Sequence, residues 1–592
     1  MQMLAMNIHH VDKLSLEDSW LLLCKKVVLT GDEVEIQHLK DIGMEIVKKC
    51  DGLPLAIKAT AGVLCTKEKT RKAWNGVLES AAWSTSGLPE EVKGALYLSY
   101  EDLPSYLKQC FIYCSLFPED SVLFMHDMTQ LWIAEGFVKA EGSSTMEETA
   151  EEYYRELIMR NLLQPCNNDR NEFQMHDLLY CLSRYLARDE SSVVRKVHEA
   201  GNSNGPMKLR RVYMRDHQTT EIFDVLVEQD SLRTLLWRGT RLSETQMDVA
   251  FNKISRLRVL DICSSTIQGL PDSLGNLIHL RYLNISLSQI SVIPESIGNL
   301  RNLQFLDISW SEISVIPKSI GNLRNLQFLN MQMCSRLSSL PNSIVNLHNL
   351  RSLDLDHTRG VGMPTGLGRL QNLQLLRGFM LQSNRTEGCC TMEELRSLSC
   401  LTNLSIKKLE LISSSSEAKA AKIGNKSKLK SLGLSCTQHL KPNEEEMRRI
   451  EKVFEELHPP RCLEELNISG YFGREFPKWM AEASSSTSIV FPHLTRLELH
   501  YCNYCERLPP CGLLPHLEFL SIGEFAAPVV DVGPKFLVGT SSSSSGGGRA
   551  GVDSSKCAFP KLETLKFRNM RNWQEWYWDK GTQAMHKVPE PL

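Results

Sequence analysis

The sequence lacks a long hydrophobic run. Near the N-terminus the longest apolar stretch covers only residues 20–24, and Glu17 and Asp18 precede it. A membrane-spanning helix needs about 20 apolar residues, and the core of a signal peptide needs about 7 to 15. We therefore expect no transmembrane segment and no export signal, and we predict a cytoplasmic location.

The sequence also lacks a large excess of charge of either sign. The formal net charge is −3 at pH 7 over 592 residues, so the overall balance favours neither nucleic acid nor an anionic membrane as a partner. Residues 96–190 hold 7 Lys and Arg against 17 Asp and Glu, and such a segment repels a phosphate backbone. We predict no nucleic-acid partner.

Clustered cysteines are missing as well. The 18 cysteines are scattered along the chain, which favours reduced thiols over a disulfide framework where no export signal is present. Cys502 and Cys505 have the spacing of half a zinc site, with Cys511 nearby, but no second pair stands at finger spacing. We interpret these cysteines as structural residues and predict no metal site.

What the sequence does contain is a repeat. The pattern L-x-x-L begins in turn at Leu257, Leu280, Leu303, Leu326, Leu350 and Leu373, at steps of 23, 23, 23, 24 and 23 residues. A second series keeps the same period, at Pro271, Pro294, Pro317, Pro341 and Pro364. Units this short bury their apolar faces by stacking on their neighbours. The pattern therefore predicts a solenoid of leucine-rich repeats.

The fold class that follows is an α/β solenoid, a leucine-rich-repeat horseshoe with a parallel concave sheet. In each unit the leucines of a short strand point into the stack, and the residues between them line the open face of the sheet. Irregular units extend the series, so residues 201–592 hold about 14 repeats. Many unrelated receptors, inhibitors and adaptors share this architecture, so it leaves the function open.

The residues before the repeats are predicted to be helical. Ser15 and Asp18 have the spacing of a capping box, and helical periodicity continues to about residue 95. We assign residues 15–95 to an α-helical bundle. Residues 96–200 form a second helix-rich domain, in which an amphipathic helix starts at His176 and Asp177. Residues 1–14 end in a strand-like segment, and we interpret them as the remnant of a preceding domain.

Four motifs stand in order before the repeats. They are Lys-Leu-Ser-Leu-Glu-Asp-Ser-Trp at 13–20, Gly-Leu-Pro-Leu-Ala at 52–56, Cys-Phe-Ile-Tyr-Cys-Ser-Leu-Phe-Pro at 110–118 and Met-His-Asp at 175–177. In order and spacing they resemble the plant nucleotide-binding (NB-ARC) leucine-rich-repeat disease-resistance proteins. The third motif, with Trp-Ile-Ala-Glu-Gly at 132–136 after it, resembles the coiled-coil class of that family.

The resemblance implies domains and a cofactor. It makes 15–95 the helical domain and 96–200 the winged-helix domain of a nucleotide switch, and 1–14 a remnant of the nucleotide-binding domain. By resemblance, Pro54 and Leu55 flank the adenine of ADP or ATP, and His176 reaches the diphosphate. The sequence contains no G-x-x-x-x-G-K-[S/T] phosphate loop, so we expect nucleotide to bind weakly or not at all. Apart from the family, these residues are a proline-led helix start and a polar first turn.

The resemblance also implies a function. We expect an intracellular plant immune receptor, or a truncated form of one, that recognises a pathogen effector or a guarded host protein through its repeats. Its ADP switch would be vestigial, and its repeats would also contact the chain's own NB-ARC domains. The alternative is a nucleotide-independent interaction module, acting as a decoy or adaptor.

Two further classes are disfavoured. An ATP hydrolase needs a phosphate loop and a magnesium-binding carboxylate, which the sequence lacks, so we predict no enzyme. An extracellular receptor would suit the N-x-S sites at Asn284 and Asn467, but both asparagines fall within predicted strands.

The regular repeats suggest a ligand surface. Tyr282, Phe305 and Phe328 occupy the same outward position of consecutive strands, and Asp307 and Asn330 belong to the next row. We expect the rings to form an exposed apolar ladder with an acidic and amide border, suited to a basic partner or to the chain's own domains. The alternative is that the rings only shield the sheet.

Overall fold

The fold is described from a computed structural model of the chain. The structure describes residues 12–28, 33–89, 92, 94–140, 142, 144–166, 169–188, 190–194, 209–214, 229–239, 243–358, 360–381, 390–438, 441–481, 491–505, 507–524, 531–532, 559–569 and 575–576. The strand expected at residues 9–14 lies half outside them, and its described residues 12–14 form no strand. The chain divides into two compact units. The first comprises Met1–Leu242, Val249–Ile262 and His279–Leu283, and the second comprises Ser243–Asp248, Cys263–Ile278 and Asn284–Leu592.

The first unit begins with a helical bundle. Its helices are α1 (Leu16–Val27), α2 (Lys40–Lys49), α3 (Pro54–Cys65), α4 (Arg71–Leu78) and α5 (Gly94–Glu101). As the capping pattern predicts, the Ser15 hydroxyl accepts from the backbone N–H of Asp18 at 3.1 Å and so satisfies a free donor of the first turn. Trp20 lies in the bundle core directly over Gly43, where a Cβ would fall 2.0 Å from the ring. Glycine therefore lets α1 and α2 pack closely.

Helices and a small antiparallel sheet follow. The helices are α6 (Ser105–Cys114), α7 (Met125–Glu135), α8 (Met146–Met159) and α9 (Asp177–Ala187), and the strands are β1 (Leu123–Phe124), β2 (Gln164–Cys166) and β3 (Asp169–Gln174). The sheet has the order β1-β3-β2. Helices with a short antiparallel sheet are what a winged-helix domain requires.

Parallel strands complete the first unit. They are β4 (Ser191–Val194), β5 (Arg211–Met214), β6 (Thr234–Trp237) and β7 (Val259–Asp261). Each strand pairs with the next in register, so that Val212 lies beside Leu235 and Leu235 beside Leu260. Strand β8 (Tyr282–Asn284) lies where the two units divide.

The second unit carries the longer series of parallel strands. They are β9 (Phe305–Asp307), β10 (Phe328–Asn330), β11 (Ser352–Asp354), β12 (Leu375–Met380), β13 (Asn403–Lys407), β14 (Ser431–Ser435), β15 (Glu465–Ser469), β16 (Arg496–His500), β17 (Phe519–Gly523) and β19 (Thr564–Arg568), with a separate parallel pair β18 (Asp531–Val532) and β20 (Glu575–Trp576). Leu306, Leu329 and Leu353 lie side by side, and none is more than 2% exposed. The leucine period thus builds the core of the solenoid, as predicted.

The connections between strands repeat as regularly. Pro294, Pro317 and Pro341 each stand at the N-terminal end of a short 3-10 turn. In four repeats an asparagine donates from its side-chain amide to a backbone carbonyl of the preceding repeat, at 2.8 to 2.9 Å: Asn302, Asn325, Asn349 and Asn372. Further helices are Glu244–Lys253, Ser415–Ala420, Glu444–Glu456 and Lys478–Ala481. Leucine, proline and asparagine thus share one period.

Candidate functional site

The C-terminal end of α7 is held by arginines of the first repeats. Arg258 donates from Nη1 to the carbonyl oxygen of Glu135 at 2.5 Å, and Arg281 donates to that of Ala134 at 3.4 Å. The last carbonyls of a helix have no partner within it and carry partial negative charge. Both arginines follow the first leucine of their repeat. The winged-helix region therefore packs on the first repeats through a helix end.

A buried ion pair lies beside this contact. The side chains of Glu135 and Arg211 are 0% and 3% exposed, with Nε of Arg211 3.6 Å from Oε1 of Glu135. The hydroxyl of Thr234 donates to the same carboxylate. The guanidinium lies over the rings of Tyr113 and Phe137, at 5.8 and 5.2 Å from their centroids. Such a pair is costly to break because either charge alone would stay buried.

The predicted nucleotide residues lie on two helices. Pro54 is the exposed first residue of α3, whereas Leu55 is buried, with only 7% of it exposed. His176 caps the N-terminus of α9, where its Nδ1 accepts from the backbone N–H of Leu178 at 3.4 Å and also contacts Asp177. Helix α5 packs against both α3 and α9. The helix start and the polar first turn both have local structural roles.

The ring row differs from the expected exposed ladder. Phe305 and Phe328 stack at 5.0 Å between centroids with planes 16° apart, since their strands pair in register. Phe305 is nevertheless 2% exposed and Tyr282 is 5% exposed, while Phe328 is half-buried. The expectation of exposure is therefore wrong for Tyr282 and Phe305. Each ring of the stacked pair shields the other, which places the row nearer to core than to open surface.

The neighbouring polar row is also engaged. Asp307 and Asn330 each accept the backbone N–H two residues ahead, at 2.9 and 3.1 Å. The amide of Asn330 also donates to the second carboxylate oxygen of Asp307 at 3.1 Å. Both side chains are half-buried. They therefore fix the turn at the end of each strand and are less available to a partner than we expected.

A groove of about 1060 Å³ opens on a different part of the second unit. Its lining runs from Asp356 to Arg568, across the outward faces of strands β12 to β16. The middle of the groove has a floor of small residues, namely Ser405, Ser431, Gly433 and Ser435. These residues stand on β13 and β14, whose neighbours carry larger side chains. The floor is therefore lower than both sides.

The two sides of the groove are ion-paired. On one side Lys407 contacts the carboxylate of Asp356. Burial favours the neutral carboxyl of Asp356, but the bond to Lys407 and its charge outweigh burial and hold the pKa of Asp356 below its ordinary value. On the other side Arg496 donates twice to Glu498, at 2.9 and 2.7 Å, and Asn467 donates to the second oxygen of Glu498 at 2.7 Å. Charged side chains on both sides of the groove therefore have partners within the chain.

The groove was missed at the sequence level. Its strands align through Leu404, Leu432, Leu466 and Leu497, whose spacing along the chain is irregular. An available signal was the outward row itself, because serine and glycine replace the rings and acids found there in the regular repeats. The arginines that bind the C-terminal end of α7 also share a sequence feature, because each follows the first leucine of its repeat.

The cysteines that suggested half a zinc site are interior residues. Cys502 and Cys505 are 0% exposed and Cys511 is 2% exposed. Cys505 donates to the carbonyl of Gly473 at 3.3 Å, and burial raises the pKa of its thiol well above the ordinary value. Among the described residues, no group of three His, Cys, Asp or Glu side chains is arranged to hold a metal ion. Nor does any described helix have the length and apolar character needed to cross a membrane.

Three family models match parts of this chain. Residues 116–182 match the disease resistance protein winged helix domain, residues 232–338 a leucine-rich repeat region, and residues 392–525 the R13L1/DRL21 leucine-rich repeats. The first match includes α7 and most of α9, and the third includes most of the groove lining. The predicted fold class, a repeat solenoid preceded by helices and a winged helix, is confirmed.

Curated relatives extend the likeness to nearly the whole chain. The putative disease resistance RPP13-like protein 1 of Arabidopsis thaliana is 32% identical over 591 residues, which is 97% of this chain and 52% of that protein. The disease resistance protein RGA2 of Solanum bulbocastanum is 33% identical over 277 residues, or 46% of this chain and 25% of that protein. The chain thus spans about half or less of the length of these relatives.

Solved structures resemble the repeats only loosely. The ectodomain of the receptor kinase GASSHO1/SCHENGEN3 from Arabidopsis thaliana has a TM-score of 0.36 and 17% identity, over 57% of this chain and 38% of that one. The Leptospira interrogans protein LIC12759 has a TM-score of 0.31 and 20% identity, over 54% of this chain and 85% of that one. Likeness at this level carries no argument about function.

Proposed function

Because the chain belongs to the plant disease-resistance proteins that combine a winged-helix domain with leucine-rich repeats, we propose that it is a recognition protein of plant immunity. Its repeats bind a pathogen effector or a guarded host protein. We place it in the coiled-coil class and inside the cell, on the sequence motifs described above. It acts by binding a partner and catalyses no reaction.

The observation that carries this proposal is the groove of the second unit. A cavity of about 1060 Å³ lined by polar and paired charged side chains is large enough for a segment of a protein partner. The ring row at Tyr282, Phe305 and Phe328, with Asp307 and Asn330, supports it less, because its members are largely buried or bonded. We therefore assign partner recognition mainly to strands β12 to β16.

The experiment is to locate the contact with a partner. The chain is expressed in leaf tissue with a panel of pathogen effectors, and a complex that triggers cell death is purified and chemically cross-linked. We expect cross-links from the partner to the outward residues of β12 to β16. The proposal would be contradicted if the cross-links were confined to residues 15–200, or if none of the effectors triggered cell death.

The switch is proposed to be vestigial in this polypeptide. By family resemblance Pro54 and Leu55 face adenine and His176 faces the diphosphate. Support is limited to position, since Pro54 is exposed at a helix start and His176 caps another helix. A helix N-terminus suits an anion, but the phosphate loop that would hold most of the charge is not in the sequence.

The second candidate is a nucleotide-independent interaction module. The contact between α7 and the first repeats favours it, because Arg258 and Arg281 hold these regions together directly. In that case the chain would bind its partner equally well with and without ADP. A partner whose affinity changes with added ADP would favour the receptor with a working switch.

A further inference from the structure

Gly433 stands in the middle of a strand where a glycine is unfavourable. It is the central residue of β14, and a glycine inside a strand costs about 0.5 to 1 kcal/mol relative to alanine. The two strands paired with β14 carry Ser405 and Asn467 at the same register position, and the strand beyond them carries Glu498. The presence of glycine at this position therefore requires a physical explanation that does not apply to its neighbours.

The usual structural reasons for a strand glycine do not apply. The φ angle of Gly433 is outside the left-handed region, and β14 pairs in register on both sides, so there is no bulge at this position. A Cβ at Gly433 would lie 3.4 Å from the Cβ of Ser405, which is ordinary contact. An alanine would therefore fit. The remaining reason is the close approach of another molecule to the strand.

The groove floor around Gly433 is made of hydrogen-bonding groups. Ser405, Ser431 and Ser435 are half-buried and stand on the outward face of β13 and β14, with Asn467 beside them on β15. An amphipathic helix would find no apolar floor for its apolar face, and its peptide groups are bonded within the helix. An extended chain, in contrast, presents free N–H and C=O groups to such a floor. A strand of five residues spans about 17 Å, which sets the length of the contact.

The charges beside the floor leave little net field. Asp356 is paired with Lys407, and Glu498 is held by Arg496 and Asn467. Glu465, Lys408 and Arg568 also line the groove, but none of them stands at the register position of Gly433. A charged side chain placed directly over the glycine would lose water beside groups that are already paired. We therefore expect the segment to be small and uncharged where it crosses the glycine.

We propose that the groove over β13 and β14 binds an extended segment of a partner protein, with small uncharged residues where it crosses Gly433. The proposal rests on the proposed function and names the class of partner segment that the repeats accept. Gly433 determines specificity, because any larger residue there would fill the floor from below.

The test uses the full chain and a phage-displayed library of random 12-residue peptides. We expect enriched peptides to share a centre of Gly, Ala, Ser or Thr. Their affinities are then measured by fluorescence anisotropy against four proteins: the unaltered chain, Gly433→Ala, Gly433→Leu and Ser352→Leu. Ser352 has the same outward orientation on β11 but lies outside the groove lining, so Ser352→Leu is the matched control.

The expected pattern is specific. Gly433→Leu weakens binding at least about tenfold and Gly433→Ala weakens it less, whereas Ser352→Leu changes it less than about twofold. Neither Gly433 variant strains the backbone, so neither should melt below the unaltered chain, and Gly433→Ala should melt slightly above it. Failure to enrich any peptide, enrichment of charged or aromatic centres, or equal affinity for Gly433→Leu would each overturn the proposal.

Failure of the groove proposal can be distinguished from failure of the proposed function. If effectors trigger cell death but Gly433→Leu responds like the unaltered chain, the recognition function stands and the groove proposal fails. If peptides bind as expected and no effector triggers a response, the groove proposal stands and the immune function fails.

Discussion

Arg258 donates from Nη1 to the backbone carbonyl oxygen of Glu135 at 2.5 Å, which closes the end of α7 with a side chain from the first repeats. A hydrogen bond from a charged donor contributes about 1.5 to 3 kcal/mol. This contact helps to join the winged-helix region to the first repeats, which belong to the same compact unit.

We predict that Arg258→Ala lowers the free energy of unfolding by about 1 to 3 kcal/mol, because it removes this bond and leaves a helix-end carbonyl without a partner. Arg256→Ala is the control, since Arg256 is exposed and only two positions away. Urea unfolding followed by tryptophan fluorescence measures both. Equal stabilities for the two variants would contradict the role of Arg258.

The buried pair of Glu135 and Arg211 gives a second prediction. Glu135→Ala should cost up to about 3 to 5 kcal/mol, because it removes the buried counter-charge of the guanidinium and leaves only the more exposed Glu190, whose carboxylate lies 3.7 Å from Nη1. The double variant Glu135→Leu with Arg211→Met should recover much of this loss, since it buries no charge. A double-mutant cycle measures the coupling. If the double variant is less stable than Glu135→Ala, packing and not charge dominates this site.

The repeat period gave the fold, because leucines at a constant step must stack. It did not give the burial of Phe305, since a strand pattern sets the direction of a side chain but not what lies against it. The groove could not be predicted from the sequence for another reason. Its strands follow one another at uneven steps, with Leu404, Leu432, Leu466 and Leu497 in line, so the outward residues could not be aligned by counting.

The burial of Phe305 determines the expected effect of substituting it. Phe305→Ser should cost about 3 to 5 kcal/mol, in the range of Leu306→Ala at roughly 2 to 5, because both side chains are 2% exposed. Phe328→Ser should cost less, since Phe328 is only half-buried. Thermal melting of the three variants decides this. If Phe305→Ser has the same melting temperature as the unaltered chain, the ring of Phe305 contributes no more to stability than a surface group.

Nucleotide binding gives a fourth prediction. Pro54, Leu55 and His176 would supply adenine contacts and one diphosphate contact, but no phosphate loop is present to hold the β-phosphate. We expect ADP to bind this polypeptide with a Kd weaker than about 100 μM, or about −5.5 kcal/mol. Isothermal titration measures it, with His176→Ala as the comparison. Submicromolar affinity that His176→Ala weakens would contradict the prediction.

The last prediction concerns Lys426, which is buried between repeats. Its ammonium donates to the carbonyl oxygens of Leu395 and Leu398 at 2.6 and 2.8 Å, and these carbonyls belong to the end of a 3-10 turn. Burial lowers the pKa of Lys426 to about 8 from 10.5. The folded protein therefore releases this proton at a lower pH than the unfolded chain does.

The sign follows from proton counts. Between pH 8 and 10.5 the unfolded state holds more protons at Lys426, so the free energy of unfolding rises with pH across this window and stays at its lower value below pH 8. The whole rise is at most about 3 kcal/mol, from the change in pKa.

Lys426→Met should abolish this rise in the free energy of unfolding. The difference in stability between the unaltered chain and Lys426→Met should therefore grow in favour of the unaltered chain as pH rises from 8 to 10.5. Lys428→Met, at an exposed lysine two positions away, should show no such trend in urea unfolding at pH 7, 8.5 and 10. A constant difference for Lys426→Met would mean that the two carbonyls keep the ammonium protonated as readily as water does.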